Sequence, residues 1–109
     1  MTYFLYKLIS PRTTFPQDIT STTFPQDITS MEMKIMQEHV VYWKELTDKK
    51  IVLVFGPVAD PKGTYGLAIV EAVDEGIVNE YGIHDPAIEA DVGFKFDLSY
   101  ASSDLSRIA

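Results

Sequence analysis

Imidazole is the side chain whose charge ordinarily changes near neutral pH, and this sequence carries two, His39 and His84. His39 belongs to a run in which Met36, His39, Val40, Trp43 and Leu46 recur at spacings of three and four, which places it on the apolar stripe of a helix. Two aspartates stand in turn-forming contexts, Asp60 in the ADPKG segment at 59–63 and Asp85 in HDPAI at 84–88. A histidine held at one ring nitrogen by a carboxylate is a competent general base or acid, and such assistance raises a rate by roughly 10²- to 10⁴-fold. Each residue also has a structural explanation. His39 fits a hydrogen-bonded core histidine, Asp60 an Asx turn bonding its own backbone, and Asp85, ahead of Pro86, a helix cap.

Composition removes other chemistries. With 16 acidic and 9 basic residues the formal charge is −7, a field that repels phosphate backbones and anionic headgroups, so neither nucleic acid nor a membrane surface is an expected partner. The absence of cysteine excludes a thiolate nucleophile, a disulfide and a cysteine-based metal centre. The histidines and carboxylates lack the close spacing of a zinc motif, and neither a GxGxxG nor a P-loop pattern occurs, so no metal and no cofactor are expected. The first ten residues have neither the layout of a signal peptide nor the length of a membrane span, which points to the cytoplasm. Against this acidic background Lys7 and Arg12 are cations able to hold an anionic substrate. Phe15, Trp43 and Tyr65 suit a pocket wall better than a base-stacking platform.

The elements that must position these residues centre on IVLVFGPV at 51–58, a buried strand that Asp60, Pro61 and Gly63 turn back into a partner at 65–73. Residues 2–9 alternate two largely apolar faces, which predicts a central strand covered on both sides. The long helix spans 30 to about 48, with Lys49 and Lys50 suiting its negative end. A second, weaker helix runs from 75 to about 81 behind Asp74 and stops at Gly82. At 93–100 Phe94, Phe96, Leu98 and Tyr100 alternate with Lys95, Asp97 and Ser99, as in a one-sided or edge strand. The order is an α+β, ferredoxin-like βαββαβ domain over residues 1–100, its antiparallel sheet carrying both helices on one face, with 101–109 as a loose tail. The other face would expose more apolar area than soluble monomers show, which predicts a homodimer with facing sheets, an α/β-barrel-like assembly.

TTFPQDITS at 13–21 recurs without change at 22–30. Two copies with one Phe and one Ile each cannot form a stacking core, so this is no solenoid. Thr29 has Glu32 three positions on, a capping box, whereas Thr20 has Thr23, so the second copy should open the helix. The other is expected as a lid, an arm on a neighbouring subunit or a disordered excursion.

Four segments together resemble the YCII-related domain family: FLYKLISPR at 4–12, TFPQDIT leading into MQEHVVYW at 36–43, VFGPVADPKGTYGLAIVE at 54–71, and DPAIEADVGFKF at 85–96. The resemblance runs from residue 2 to residue 100. It implies a dimeric ferredoxin-like fold, a pocket near the sheet and a His–Asp pair proposed to be catalytic, which falls on His39 with Asp60 or Asp85. One relative is similar to a dehydrochlorinase of chlorinated hydroxyhydroquinones. The implied function is therefore lyase- or isomerase-type proton transfer on a small anionic compound, aromatic or an oxo-acid. The alternative is a non-catalytic dimeric binding or structural domain. The sequence departs from the family pattern in its duplicated segment, which could obstruct the pocket, and in His84 beside Asp85.

Overall fold

A computed structural model describes residues 2–10, 28–61 and 64–101, the last two by backbone alone. Its strands are β1 (Thr2–Ile9), β2 (Val52–Val58), β3 (Tyr65–Ala72) and β4 (Lys95–Ala101), and its helices α1 (Ser30–Asp48), α2 (Glu75–Ile83) and α3 (Pro86–Glu89). The strands form one antiparallel sheet in the order β2-β3-β1-β4, so the chain is a mixed α+β domain with β1 and β3 inside the sheet. Register follows the apolar pattern. Tyr6 lies opposite Ala68 on one side and Leu98 on the other, and the face it shares with Phe4, Leu8, Val52 and Val70 packs on Trp43, Leu46, Val78 and Ala87. The expectation that β1 is covered on both sides holds for one side of the chain. Phe4, Tyr6 and Leu8 are buried, whereas Leu5, Lys7 and Ile9 are half-buried on a face that none of the described helices covers. Leu53 and Val54, where β2 slips register against β3, are each 52% exposed.

The cap expected for α1 is present. The Thr29 hydroxyl accepts from the Glu32 N–H at 3.1 Å, and the Glu32 carboxylate accepts from the Thr29 N–H at 3.0 Å. At the other end Lys50 takes φ of 64°, the left-handed turn that lets the Ile51 N–H reach Leu46 O at 3.0 Å and the Lys50 N–H reach Thr47 O at 2.9 Å. Ile51 thereby packs back on the core. Lys49 and Lys50 thus occupy the cap and the residue after it, not the last turn. The buried stripe is rotated from the expected one. Ile35, Trp43 and Leu46 are buried and Met36 and His39 half-buried, but Val40 is 48% exposed, because the face is centred on 35, 39, 43 and 46.

Asp74 caps α2 by accepting from the Ile77 N–H at 3.0 Å. The helix does not stop at Gly82 but continues to Ile83. Gly82 is a packing glycine: a Cβ there would stand 2.6 Å from the Phe96 ring. Phe96 in turn stacks on Tyr6 with centroids 5.3 Å apart, so the close approach of α2 to β4 carries through to β1. β4 is an edge strand, with Phe94 buried, Phe96 and Leu98 half-buried, and Lys95, Asp97 and Ser99 exposed, as the alternation predicts. Of the duplicated segment only 28–30 lie among the described residues. Arg12, Phe15 and the tail from 102 lie outside them.

Replacing Gly82 by Ala should cost about 1–3 kcal/mol, because the added methyl overlaps a ring held on both sides; chemical denaturation reads this, and Phe96→Leu in the same chain should restore part of the loss. Deleting residues 22–30 joins Ser21 to Met31 and gives Thr20 the position three before Glu32, so the capping box is rebuilt. Stability should stay within about 1 kcal/mol, the value of one helix cap, and a loss of several kcal/mol in the same assay would refute the reading of one copy as dispensable.

Candidate functional site

Asp85 follows α2 and caps α3, where its Oδ1 accepts from the Ala87 N–H at 2.9 Å. That local role is the one its Asp-Pro context predicts. Yet the carboxylate has no solvent exposure, and Oδ2 also accepts from the Tyr6 O–H and the Trp43 Nε1–H, each at 2.8 Å. His39 completes the set, its Nδ1 lying 2.9 Å from both oxygens. Donors from β1, α1 and the start of α3 thus converge on one buried acid. A carboxylate surrounded by an N–H, an O–H and an indole N–H is an acceptor only, so the proton on the His39 ring is assigned to Nδ1. Nε2 is then the basic nitrogen.

Burial alone would raise the Asp85 pKa, but the hydrogen bond and charge of His39, with the bonds from Trp43 and Ala87, outweigh it and hold the acid below its ordinary value of 3.8. Burial, reinforced by the Asp85 charge and hydrogen bond, pushes the Tyr6 hydroxyl far up, so it stays a donor. Burial, then the Asp85 charge, pushes the Tyr42 hydroxyl up to about 12, and that hydroxyl donates to Tyr81 O at 2.7 Å.

His39, with 13% of its side chain exposed, lines a hollow of about 310 Å³ between α1 and the β2–β3 side of the sheet. The wall is almost wholly apolar, built from residues such as Leu8, Met36, Trp43, Phe55 and Phe94, with Tyr65 at its β3 end. One imidazole therefore faces a space in which water is a poor competitor. Its other nitrogen is tied to the core.

The sequence-derived candidates separate accordingly. His39, Asp85 and Trp43 meet, and Trp43 serves twice, as hollow wall and as donor to Asp85. Tyr65 lines the hollow and has the Lys7 Nζ 4.4 Å from its ring centroid. Lys7 itself points to the sheet face opposite Tyr6, because neighbouring strand residues alternate. Asp60 is exposed after β2, outside the hollow lining, and the carboxylate on His39 is that of Asp85. His84 ends α2 on the surface, 3.6 Å from Glu80. Arg12 and Phe15 lie outside the described residues. Tyr6 escaped sequence reasoning. The signal was present, since it shares a face with Phe4 and Leu8, but only the register shows that its hydroxyl reaches Asp85. Among the described residues no three His, Asp or Glu side chains are grouped to hold a metal, and no helix is long and apolar enough to cross a membrane.

Asp85→Asn should lower stability by about 2–3 kcal/mol, the scale of depriving buried donors of a charged acceptor. The pH dependence has a definite sign. Since folding lowers the Asp85 pKa, its contribution is complete above the ordinary value of 3.8 and fades as the pH falls through the folded value. Urea unfolding of the wild type should weaken on the acid side of that value, and the variant should show a flatter acid limb; equal limbs would mean Asp85 carries no net charge in the fold.

No curated protein matches the sequence. The YCII-related domain matches residues 17–99, from within the duplicated segment to a point inside β4, and so takes in His39, Asp85 and the whole hairpin. β1, which supplies Tyr6, lies ahead of the match although it sits inside the sheet. With most of its length covered, and with the buried acid and its histidine inside the matched span, the chain belongs to the YCII-related domain family.

Proposed function

We propose that this protein is a small enzyme in which His39 moves a proton on a small anionic compound, aromatic or an oxo-acid, bound in the apolar hollow. The observation that carries this reading is the two-sided environment of one ring: Nδ1 on a buried carboxylate, the rest of the imidazole in the wall of an apolar space. Nε2 takes a proton from a carbon or hydroxyl of the substrate, and the electron pair left behind forms a double bond or expels a leaving group. The imidazolium so formed is stabilised by Asp85, and its proton goes to a second substrate atom or to water. Trp43 and Phe55 offer apolar surface to an aromatic body. The described wall contains no lysine or arginine, so a substrate anion would pair with the imidazolium or remain at the open side. This is lyase or isomerase chemistry and needs no cofactor.

The element order and the β2-β3-β1-β4 sheet match a ferredoxin-like arrangement. In the same reading the uncovered face, with Leu5, Leu67 and Ile69 half-buried and Leu53 and Val54 exposed beside it, meets that of a second copy in a cytoplasmic homodimer, sheet against sheet.

A second reading is favoured by the hub itself. Asp85 ties β1, α1 and α3 together whether or not a substrate exists, so the pair also suits a non-catalytic binding or structural domain. A panel of small aromatic acids and oxo-acids incubated in D₂O, followed by NMR for deuterium wash-in or elimination, separates the two. The wild type should turn over at least one compound. His39→Ala should slow this by at least about 10²-fold while the melting temperature stays within a few degrees. No turnover by the wild type, with equal thermal stabilisation of wild type and His39→Gln by a panel compound, would establish the binding domain instead.

A further inference from the structure

Tyr6 and Trp43 each make a polar bond that core packing does not demand. Tyr6 is 1% exposed and packs at a tilt of 39° on Trp43 with centroids 4.5 Å apart, and Trp43 is likewise 1% exposed. Phenylalanine at 6 would keep that ring contact, yet each ring sends its one polar hydrogen to the same oxygen, Oδ2 of Asp85, at 2.8 Å. Oδ1 takes the backbone of Ala87, and the His39 Nδ1 sits evenly at 2.9 Å from both oxygens. The carboxylate therefore divides its negative charge among four donors, of which only the His39 ring can itself take up a proton at a second nitrogen.

We propose that Tyr6 and Trp43 are positioning residues for His39: by holding Oδ2 they orient the carboxylate across the imidazole edge and set how much of its charge reaches the Nδ1–H. The inference rests on the reading of His39 as the proton carrier, but its test does not need a substrate. Hydrogen bonds to a shared acceptor compete for its charge, and in a dry site that competition is felt in full. Removing the Tyr6 hydroxyl leaves more charge on Asp85 for His39, so the Nδ1–H···O bond strengthens. Making the hydroxyl a stronger donor does the reverse. The remaining neighbours leave this competition unchanged. Tyr42 stands edge-on to Trp43 and spends its O–H on Tyr81 O, and His84 is paired with Glu80 on the surface.

Two perturbations of opposite sign test this in the ligand-free full chain, with ¹H and ¹⁵N NMR of the histidine rings. In Tyr6→Phe the His39 Nδ1–H resonance should move downfield, with the ring still in the Nδ1–H tautomer. Biosynthetic replacement of tyrosine by 3-fluorotyrosine, whose hydroxyl is more acidic, should move it upfield, and Tyr6→Phe in the fluorinated protein should abolish the upfield shift. His84 supplies an internal reference that should not respond. If Tyr6→Phe loses the fold, the fluorotyrosine shift alone decides, since it keeps every ring in place. A His39 resonance that ignores both changes would overturn the proposal and leave Tyr6 and Trp43 as core residues. That failure is distinct from failure of the catalytic reading, which is decided by turnover in His39→Ala.

Discussion

A carboxylate withdrawn from water costs several kcal/mol even after the surroundings relax, and the cost is met only where every lone pair finds a donor. Asp85 has no exposure and sits among Trp43, Tyr6 and Ala87, so its donors must all arrive together. They come from distant parts of the chain. Tyr6 is 79 residues away in sequence, and Trp43 and His39 are 42 and 46 residues away. The register of β1 in the sheet, the rotation of α1 on that sheet and the start of α3 are therefore tied to one acid. A one-residue slip of β1 would turn Tyr6 to the open face and leave Oδ2 short of a donor.

That constraint fixes His39 more tightly than its partial exposure suggests. The ring stands at the border between the polar hub and the hollow, with Trp43 in an edge-on contact at 6.4 Å between centroids. An imidazole anchored through Nδ1 loses rotational freedom and tautomeric ambiguity at once, which is what a proton carrier needs before any substrate arrives. The apolar wall adds to this, because charge in the pair is poorly screened where water is scarce. Asp60, Asp74 and Glu80 lie on the surface and the buried Glu32 is spent on the α1 capping box, whereas the carboxylate beside His39 is the buried Asp85.

Much of this layout was legible in the residues. Alternation in 93–100, the turn signals at 60–63 and the Thr29–Glu32 spacing locate β4, the hairpin and the start of α1 because each is a local pattern with a local cause. His39 could be placed on the inner face for the same reason. The choice between Asp60 and Asp85 could not, since both occupy good turn contexts and only the packing of α3 on α1 brings one of them to the ring. Cap and partner turned out to be one residue in two roles, Oδ1 serving Ala87 and both oxygens serving His39. Lys7 illustrates a missed inference of another kind. Alternation alone forbids Tyr6 and Lys7 from facing the same side, but a strand apolar on both faces does not announce which side carries the helices. The stripe on α1 was misjudged by one position, with Ile35 inside and Val40 outside, because Val and Ile weigh alike in any periodicity.

The coupling of core and site also decides which substitutions can inform about function. Any change at Asp85 removes an acceptor from two buried rings and a helix cap as well as from His39, so lost activity there would follow from lost structure. Trp43 is entangled in the same way, through its volume and its N–H. His39 differs. Its removal frees one edge of a carboxylate that still holds Tyr6, Trp43 and Ala87, and the ring it takes away lines a space that is already hollow. The fold depends on the acid, whereas the proposed chemistry depends on the base, and because the two belong to different elements the base can be altered while the acid keeps its other partners.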